Sequence, residues 1–405
     1  MRALWHGGKT HRYKMHLAAT AEMKGHFSVA YNGKSILEVE YFEEVGTGLG
    51  PTLEFYSTVS REFSKKKLRL WRDNEVGDSE FVSGPTGLFP RPLSEADATG
   101  TNGERLMSLF RALGKFVARS MLDSRIIDIH FNPTFFRIGD GSSGVRPSLG
   151  AVKAVDPALA RSLLFIQEFA TSKEAIEEDV GRNAVEKAAA ISAITINNTQ
   201  IEDLSLDFTL PGYPEIELIP GGCQKSVTID NVGTYVEKVV SMTLEEGVRR
   251  QVEAFRRGFS QVFPYSALSA FTPDELVSLF GRVEEDWSLE TLMDSIKADH
   301  GFNMDSRSVK NLLQVMSEMT LAERRDFLQF TTGSPRLPIG GFRSLTPMFT
   351  VVRKPSEAPY SSDDYLPSVM TCVNYLKLPD YTTIDTLRKQ LSTAIKEGQG
   401  AFHLS

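Results

Sequence analysis

Apolar residues recur at every third or fourth position over several stretches of the chain, and each such stretch predicts an amphipathic helix. Leu53, Tyr56, Val59 and Phe63 line one face just after the glycine-rich turn Gly46-Thr47-Gly48-Leu49-Gly50-Pro51. No Gly-Lys-Ser/Thr closes that turn, so it reads as a loop joining strand to helix rather than as a phosphate cradle. Leu106, Phe110, Leu113, Val117 and Met121 predict a second helix over 102–121, capped by Thr101 or Asn102. Asp156-Pro157 opens a third, carrying Leu159, Leu163, Ile166 and Phe169. Further helices are expected over 231–242 and 244–263, the second burying Val248, Val252, Phe255, Phe259 and Phe263. Thr272-Pro273-Asp274-Glu275 and Thr320-Leu321-Ala322-Glu323 both spell a capping box. Between them a helix ends near Lys297, and another carries Val309, Leu312, Leu313 and Met316. A last helix starts after Thr383 and stops at Gly398.

Strict alternation marks the strands. Ile36, Val39 and Tyr41 suggest one, and Leu204, Leu206, Phe208 and Leu210 predict a half-buried one. Pro211-Gly212-Tyr213-Pro214 turns the chain towards a return strand at Ile216 and Leu218. Extended apolar runs follow over 343–352 and 370–378, while the aromatic stretch Phe131–Phe136 reads as core. The Gly/Ser-rich segment 139–150 is a loop or boundary, and 150–230 forms a small helix-plus-hairpin subdomain. Ala298–Met304, which holds His300 and Gly301, suits a helix–helix turn or a hinge. The final third alternates helix and strand as a compact α/β domain, and no internal repeat points to a solenoid.

Composition narrows the function. A chain of 405 residues suggests two or three domains, and 41% hydrophobic with 24% charged residues is globular. The net charge of −7 lacks the basic footprint of a nucleic-acid binder. No apolar run reaches eighteen residues and no basic-then-apolar leader is visible, so the expectation is a soluble cytoplasmic or nuclear protein without membrane partners. His6, His11, His16 and His26 crowd the start, but they lack a matching second ligand pair, and neither metal nor cofactor is expected. Glu177-Glu178-Asp179 and the arginines at 249, 250, 256 and 257 read as solvated faces.

Chemistry concentrates at one of two cysteines. Cys223 and Cys372 are too few and too far apart for a disulfide framework. Cys372 lies in Leu366-Pro367-Ser368-Val369-Met370-Thr371-Cys372-Val373-Asn374-Tyr375-Leu376-Lys377-Leu378-Pro379-Asp380-Tyr381, bracketed by two Leu-Pro pairs, which places it on a loop entering a short strand. A small buried hydrophobe is one reading. The polar company of Thr371 and Asn374 resists it, because each would need a partner if buried. A cysteine hydrolase needs a base and an orienter, and the histidines nearest in sequence are His300 and His403. Thioester exchange needs less: an unperturbed thiol is already a few per cent thiolate near neutrality.

The chain resembles the HECT family of ubiquitin-protein ligases. The resemblance is carried by Phe327-Leu328-Gln329-Phe330-Thr331-Thr332-Gly333-Ser334, by Pro338-Ile339-Gly340-Gly341-Phe342, by the run from Leu366 to Tyr381, and by Phe402 near the end. It extends upstream through 46–55, 115–136, 219–230 and 251–263. Leu376-Lys377-Leu378-Pro379 and Phe402-His403-Leu404-Ser405 look most like the ubiquitin-fusion-degradation branch, which includes the thyroid-receptor-interacting ligases.

The resemblance implies an α+β, bilobal architecture: a poorly matched edge over 1–24, a mainly helical N-lobe over 25–297, a hinge over 298–304 containing His300 and Gly301, and a C-lobe over 305–405. It implies that Cys372 accepts ubiquitin as a thioester from a ubiquitin-conjugating enzyme and passes it to a substrate lysine, supporting polyubiquitination and proteasomal degradation. Thr371 and Asn374 would shape the loop and hydrogen-bond near the thioester, and Phe402 would anchor the chain end. Leu159, Leu163, Ile166 and Phe169 would line the groove for the conjugating enzyme, or form internal core. Met370 stands where many members carry histidine, so the expectation is that loop geometry or backbone donors, rather than that imidazole, set the reactivity of Cys372. His403 and the Ser405 carboxylate are candidates for the base that deprotonates lysine. Two other readings stay open: a non-catalytic scaffold of the ubiquitin pathway, and a cysteine hydrolase.

Overall fold

The computed structural model describes residues 12–15, 27–30, 38–41, 49–73, 79–123, 125, 127–139, 144–272, 275, 285–338 and 340–398. Along the chain the principal helices are α1 (Leu49–Phe63), α2 (Thr101–Leu122), α3 (Leu149–Val155), α4 (Pro157–Glu178), α5 (Ala184–Ser192), α6 (Val232–Ser241) and α7 (Arg249–Phe259). They continue as α8 (Leu289–Ser295), α9 (Arg307–Ser317), α10 (Leu321–Thr332) and α11 (Ile384–Gly398). The strands are β1 (Arg12–Met15), β2 (Phe27–Ala30), β3 (Glu38–Tyr41), β4 (Thr209–Leu210) and β5 (Tyr213–Glu217), then β6 (Lys297–Asp299), β7 (Thr350–Lys354), β8 (Ser368–Met370) and β9 (Tyr375–Pro379).

The chain divides into two compact units. One comprises residues 63–118 and 129–282, the other 1–62, 119–128 and 283–405. The α+β character that the resemblance implies is what the elements show.

In the first unit, the described part of α2 buries Leu106, Phe110, Leu113 and Val117, the stripe that the sequence spacing defines. Around it gathers an aromatic core. Trp71 meets Phe110 edge to face at 5.6 Å, and Phe135 meets Phe255 at 4.9 Å. Trp71 keeps its polar handle satisfied by donating Nε1–H to the Phe63 carbonyl at 2.7 Å. Helices α2 and α7 meet backbone to backbone. A Cβ on Gly114 would lie 2.1 Å from the Phe255 carbonyl oxygen, and one on Gly258 1.9 Å from that of Arg111, so only glycine fits at either point.

The smaller part of this unit begins where Asp156 ends α3 and starts α4. Its carboxylate accepts the Leu159 N–H at 2.9 Å and the Arg72 guanidinium at 2.8 Å, and Pro157 occupies a position that needs no donor. Helix α4 packs on α3 and α6. The expected strand over Leu204–Leu210 shrinks to Thr209–Leu210, because Glu202–Leu204 is a 3-10 turn and Ser205 adopts left-handed backbone. Likewise the helix expected from Leu244 begins only at Arg249, after a π-helical turn over Met242–Glu246.

In the second unit β1, β2 and β3 form an antiparallel sheet, with Arg12 opposite Ala30 and Phe27 opposite Tyr41. A second sheet has the order β6-β7-β9-β8, parallel except for the β8–β9 pair. Val351, Leu376 and Leu378 of that sheet share one core with Trp287, Leu292, Leu312, Phe327, Tyr381 and Leu391.

That core moves a boundary expected from sequence. Ala298–Met304 is not a joint between lobes: Lys297–Asp299 is strand β6, hydrogen-bonded along β7, and His300 and Gly301 make the tight turn after it at φ 47° and 94°. Ala298, Phe302 and Met304 pack on the same core as Trp287 before them and Val309 after them. Rotation about this turn would tear the sheet and the core. The C-terminal stretch of this compact unit runs from residue 283, not from near residue 305.

Candidate active site

Strand β8 is an edge of its sheet, and it runs antiparallel to β9, Met370 opposite Tyr375. The four residues between them reverse the chain with one residue in left-handed backbone. Thr371–Val373 make a single 3-10 turn, and Asn374 closes it at φ 54°, ψ 41°. Asparagine is among the few non-glycine residues that enter this region readily. Two bonds then fix the turn: the side-chain Nδ2 donates to the Pro347 carbonyl at 2.7 Å, and the Asn374 backbone carbonyl accepts the Thr350 N–H at 3.0 Å. Asn374 is accordingly buried, at 7% exposure.

The turn presents Cys372 to solvent. Among the described residues no side chain hydrogen-bonds its Sγ. A buried small hydrophobe is thus excluded, and the geometry is that of an accessible thiol on a rigidly seated loop.

The approach to β8 is held as firmly. Tyr381 is fully buried and donates its hydroxyl to the Tyr365 carbonyl at 2.7 Å; burial first, and Asp363 second, push its pKa up, so it remains a donor. Lys354 Nζ donates to the Leu366 carbonyl at 2.8 Å, with burial and then Lys377 drawing its ammonium below the usual lysine range. Helix α10 packs against both β8 and the cysteine turn.

The residues singled out in the sequence fall into separate places. Cys372, Thr371 and Asn374 come together, Asn374 as the bracket beneath the loop with its amide turned to Pro347. His300 packs beside Tyr375, ring centroids 6.2 Å apart. Phe402, His403 and Ser405 lie outside the described residues, as do His6, His11, His16 and His26. Among the described residues no cluster of metal-ligating side chains occurs, and no described helix is long and apolar enough to cross a membrane.

Leu159, Leu163, Ile166 and Phe169 require a correction. They are 8%, 0%, 6% and 0% exposed, so their stripe is the internal core of the smaller part of the first unit and not an open groove. Leu164, next to them on α4, is 49% exposed.

Sequence reasoning missed Pro347, which carries the bracket for Asn374. It also missed Ser57, Asp128, Arg325 and Gln329, which tie α10 to distant parts of the chain. Their partners lie too far apart in sequence for any local pattern to mark them.

Comparison with known proteins adds to this geometry. The family model described as HECT-domain (ubiquitin-transferase) matches residues 57–405. A Schizosaccharomyces pombe protein named as a probable ubiquitin fusion degradation protein is 49% identical over 98% of this chain and 22% of its own length. Ubiquitin fusion degradation protein 4 of Saccharomyces cerevisiae is 45% identical over 91% of the chain and 24% of its own length. The E3 ubiquitin-protein ligase TRIP12 of Danio rerio is 43% identical over 92% of the chain and 19% of its own length. The chain thus spans about a fifth to a quarter of these relatives.

Proposed function

This chain belongs to the HECT-domain ubiquitin-transferase family, and from that premise we propose that it carries the catalytic step of an E3 ubiquitin ligase of the ubiquitin-fusion-degradation type. The observation that carries the reading is the exposed thiol of Cys372 on a braced turn.

The chemistry asks little beyond access. The Cys372 thiolate attacks the carbonyl that joins ubiquitin's C-terminus to a conjugating enzyme. The tetrahedral intermediate expels the conjugating enzyme's thiolate and leaves ubiquitin on Cys372 as a thioester. A lysine ε-amine then attacks the same carbonyl, loses a proton, and displaces the Cys372 thiolate, leaving an isopeptide bond. Sulfur is a good leaving group in both steps, so neither needs a metal or a strong base at the nucleophile. Phe402 as an anchor, and His403 or the terminal carboxylate as proton acceptor, remain part of this reading. So does docking of the conjugating enzyme on the subdomain over 150–230.

Each transfer needs reacting atoms within ~3–3.5 Å, so one cysteine cannot serve a donor and an acceptor in a single posture. The C-terminal part of the unit holding Cys372, residues 283–405, must therefore reorient as a body that includes β6, His300 and Gly301.

A reconstituted reaction tests the proposal. The chain is mixed with ubiquitin, activating enzyme, ATP and a panel of conjugating enzymes. Ubiquitin linked to lysine, and lost in Cys372→Ala, supports transfer. Binding without transfer supports a scaffold, and cleavage of a ubiquitin chain supports a hydrolase.

A further inference from the structure

The unit that carries Cys372 contains two short segments from far upstream, 1–62 and 119–128. Both are joined to its C-terminal part by side-chain hydrogen bonds that converge on α10 and on the loop just after it. Arg325 grips the Asp128 carboxylate with both Nη atoms, Nη1 to Oδ1 at 3.0 Å and Nη2 to Oδ2. One turn further on, Gln329 Oε1 accepts from Ser57 Oγ at 2.8 Å. Residues four apart share a helix face, so these two contacts form a single row. Beyond the helix, Arg336 Nη1 donates to the Ile127 carbonyl at 3.1 Å.

The surface they grip is braced. The Asp128 N–H donates to Ser60 Oγ at 3.2 Å, and Ser60 Oγ donates to the Tyr56 carbonyl at 2.6 Å. Asp123 accepts the Tyr56 hydroxyl at 2.7 Å and Arg119 Nε at 2.8 Å. The Asp128 side chain is 18% exposed and that of Arg325 51%, so this bidentate pair lies at the rim of the contact, where water can replace it. Such a contact can close and reopen. The same helix packs against β8 and the Cys372 turn.

We propose that Ser57, Asp128, Arg325 and Gln329 form a clasp that holds α10, and through it the turn bearing Cys372, in the posture from which lysine attacks. They are positioning residues: none touches Cys372, and each acts through the helix. The inference rests on the transfer chemistry proposed above. A misplacement of about 1 Å at a reacting centre costs on the order of a hundredfold in rate, so a loosened α10 is felt at the thiol.

The test is single-turnover discharge of a preformed Cys372–ubiquitin thioester to lysine. Asp128→Arg and Arg325→Asp should each slow discharge at least tenfold, while iodoacetamide alkylates Cys372 at its normal rate. The double charge swap should restore most of the loss, as an effect of the pair itself requires, and the unchanged alkylation of the single variants separates it from a general loss of structure. Gln329→Ala, which leaves every charge in place, should slow discharge several-fold. A wild-type chain that discharges while all four variants discharge equally fast overturns the clasp alone. Faster discharge in the single variants overturns it too, since the contact would then be a restraint. Absence of any wild-type thioester with any conjugating enzyme overturns the transfer reading beneath it.

Discussion

Asn374 stands two residues past Cys372 in left-handed backbone, with its side-chain amide bonded to the Pro347 carbonyl at 2.7 Å. One residue thus supplies both the reversal of the turn and its anchor to the segment entering β7. The two contributions separate by substitution. Asn374→Gly keeps the backbone conformation and loses the bond, at about 1 kcal/mol. Asn374→Ala loses the bond and adds the left-handed penalty, roughly 2–3 kcal/mol in all. Denaturant unfolding should rank wild type above Gly above Ala, and lysine transfer should fall in the same order. Equal stability for Gly and Ala would show that the turn does not depend on its backbone conformation.

Helix α10 owes its start to a capping box that is also pH-sensitive. Glu323 accepts from the Thr320 N–H and hydroxyl, both at 2.8 Å, and these bonds hold its carboxyl below the usual carboxylate range. A folded-state pKa below the unfolded one gives stabilisation that is complete above the ordinary glutamate pKa. It is lost as pH falls through the depressed folded value. Wild type should therefore be more stable than Glu323→Gln at neutral pH, and the gap should close in acid. Thr320→Ala should cost about 1 kcal/mol at neutral pH. A gap between wild type and Glu323→Gln that widens on acidification would contradict this.

The burial of Leu163 separates core from docking surface. Leu163→Ala should destabilise the fold by about 2–5 kcal/mol, because no part of the side chain faces water. Leu164→Ala should leave the unfolding midpoint nearly unchanged. A role for Leu163 in an open groove predicts the reverse for it: normal stability with lost affinity for conjugating enzyme. Unfolding curves and binding measurements on the two variants decide between them.

What the sequence made legible was mostly local. Asp156-Pro157 and Thr320 with Glu323 announce helix starts because capping depends on residues within one turn. The stripe from Leu106 to Val117 announces a buried face because helical period needs no partner. The stripe from Leu159 to Phe169 shows the limit of that signal: it says that these side chains leave water, and cannot say whether for their own core or for another protein. Ala298–Met304 shows a second limit. A short polar stretch with a glycine looks the same in a hinge as in a tight turn after a strand, and only pairing with distant Thr350–Val352 distinguishes them. Ser57 and Gln329, 272 residues apart, leave no trace that a single sequence could reveal. At the site itself the Cys372 motif was legible through resemblance, whereas the bracket from Asn374 to Pro347 needed coordinates.

The central claim is that Cys372 becomes covalently joined to ubiquitin through its side-chain atom. Replacing sulfur by oxygen tests it most directly. Charged with ubiquitin by a competent conjugating enzyme, the wild-type chain should carry one adduct that a thiol reductant removes. Cys372→Ser should carry a slower-forming adduct that resists the reductant and is cleaved by mild alkali, as an ester is. An adduct whose lability stays the same in Cys372→Ser, or moves instead with Cys223→Ser, would contradict the account.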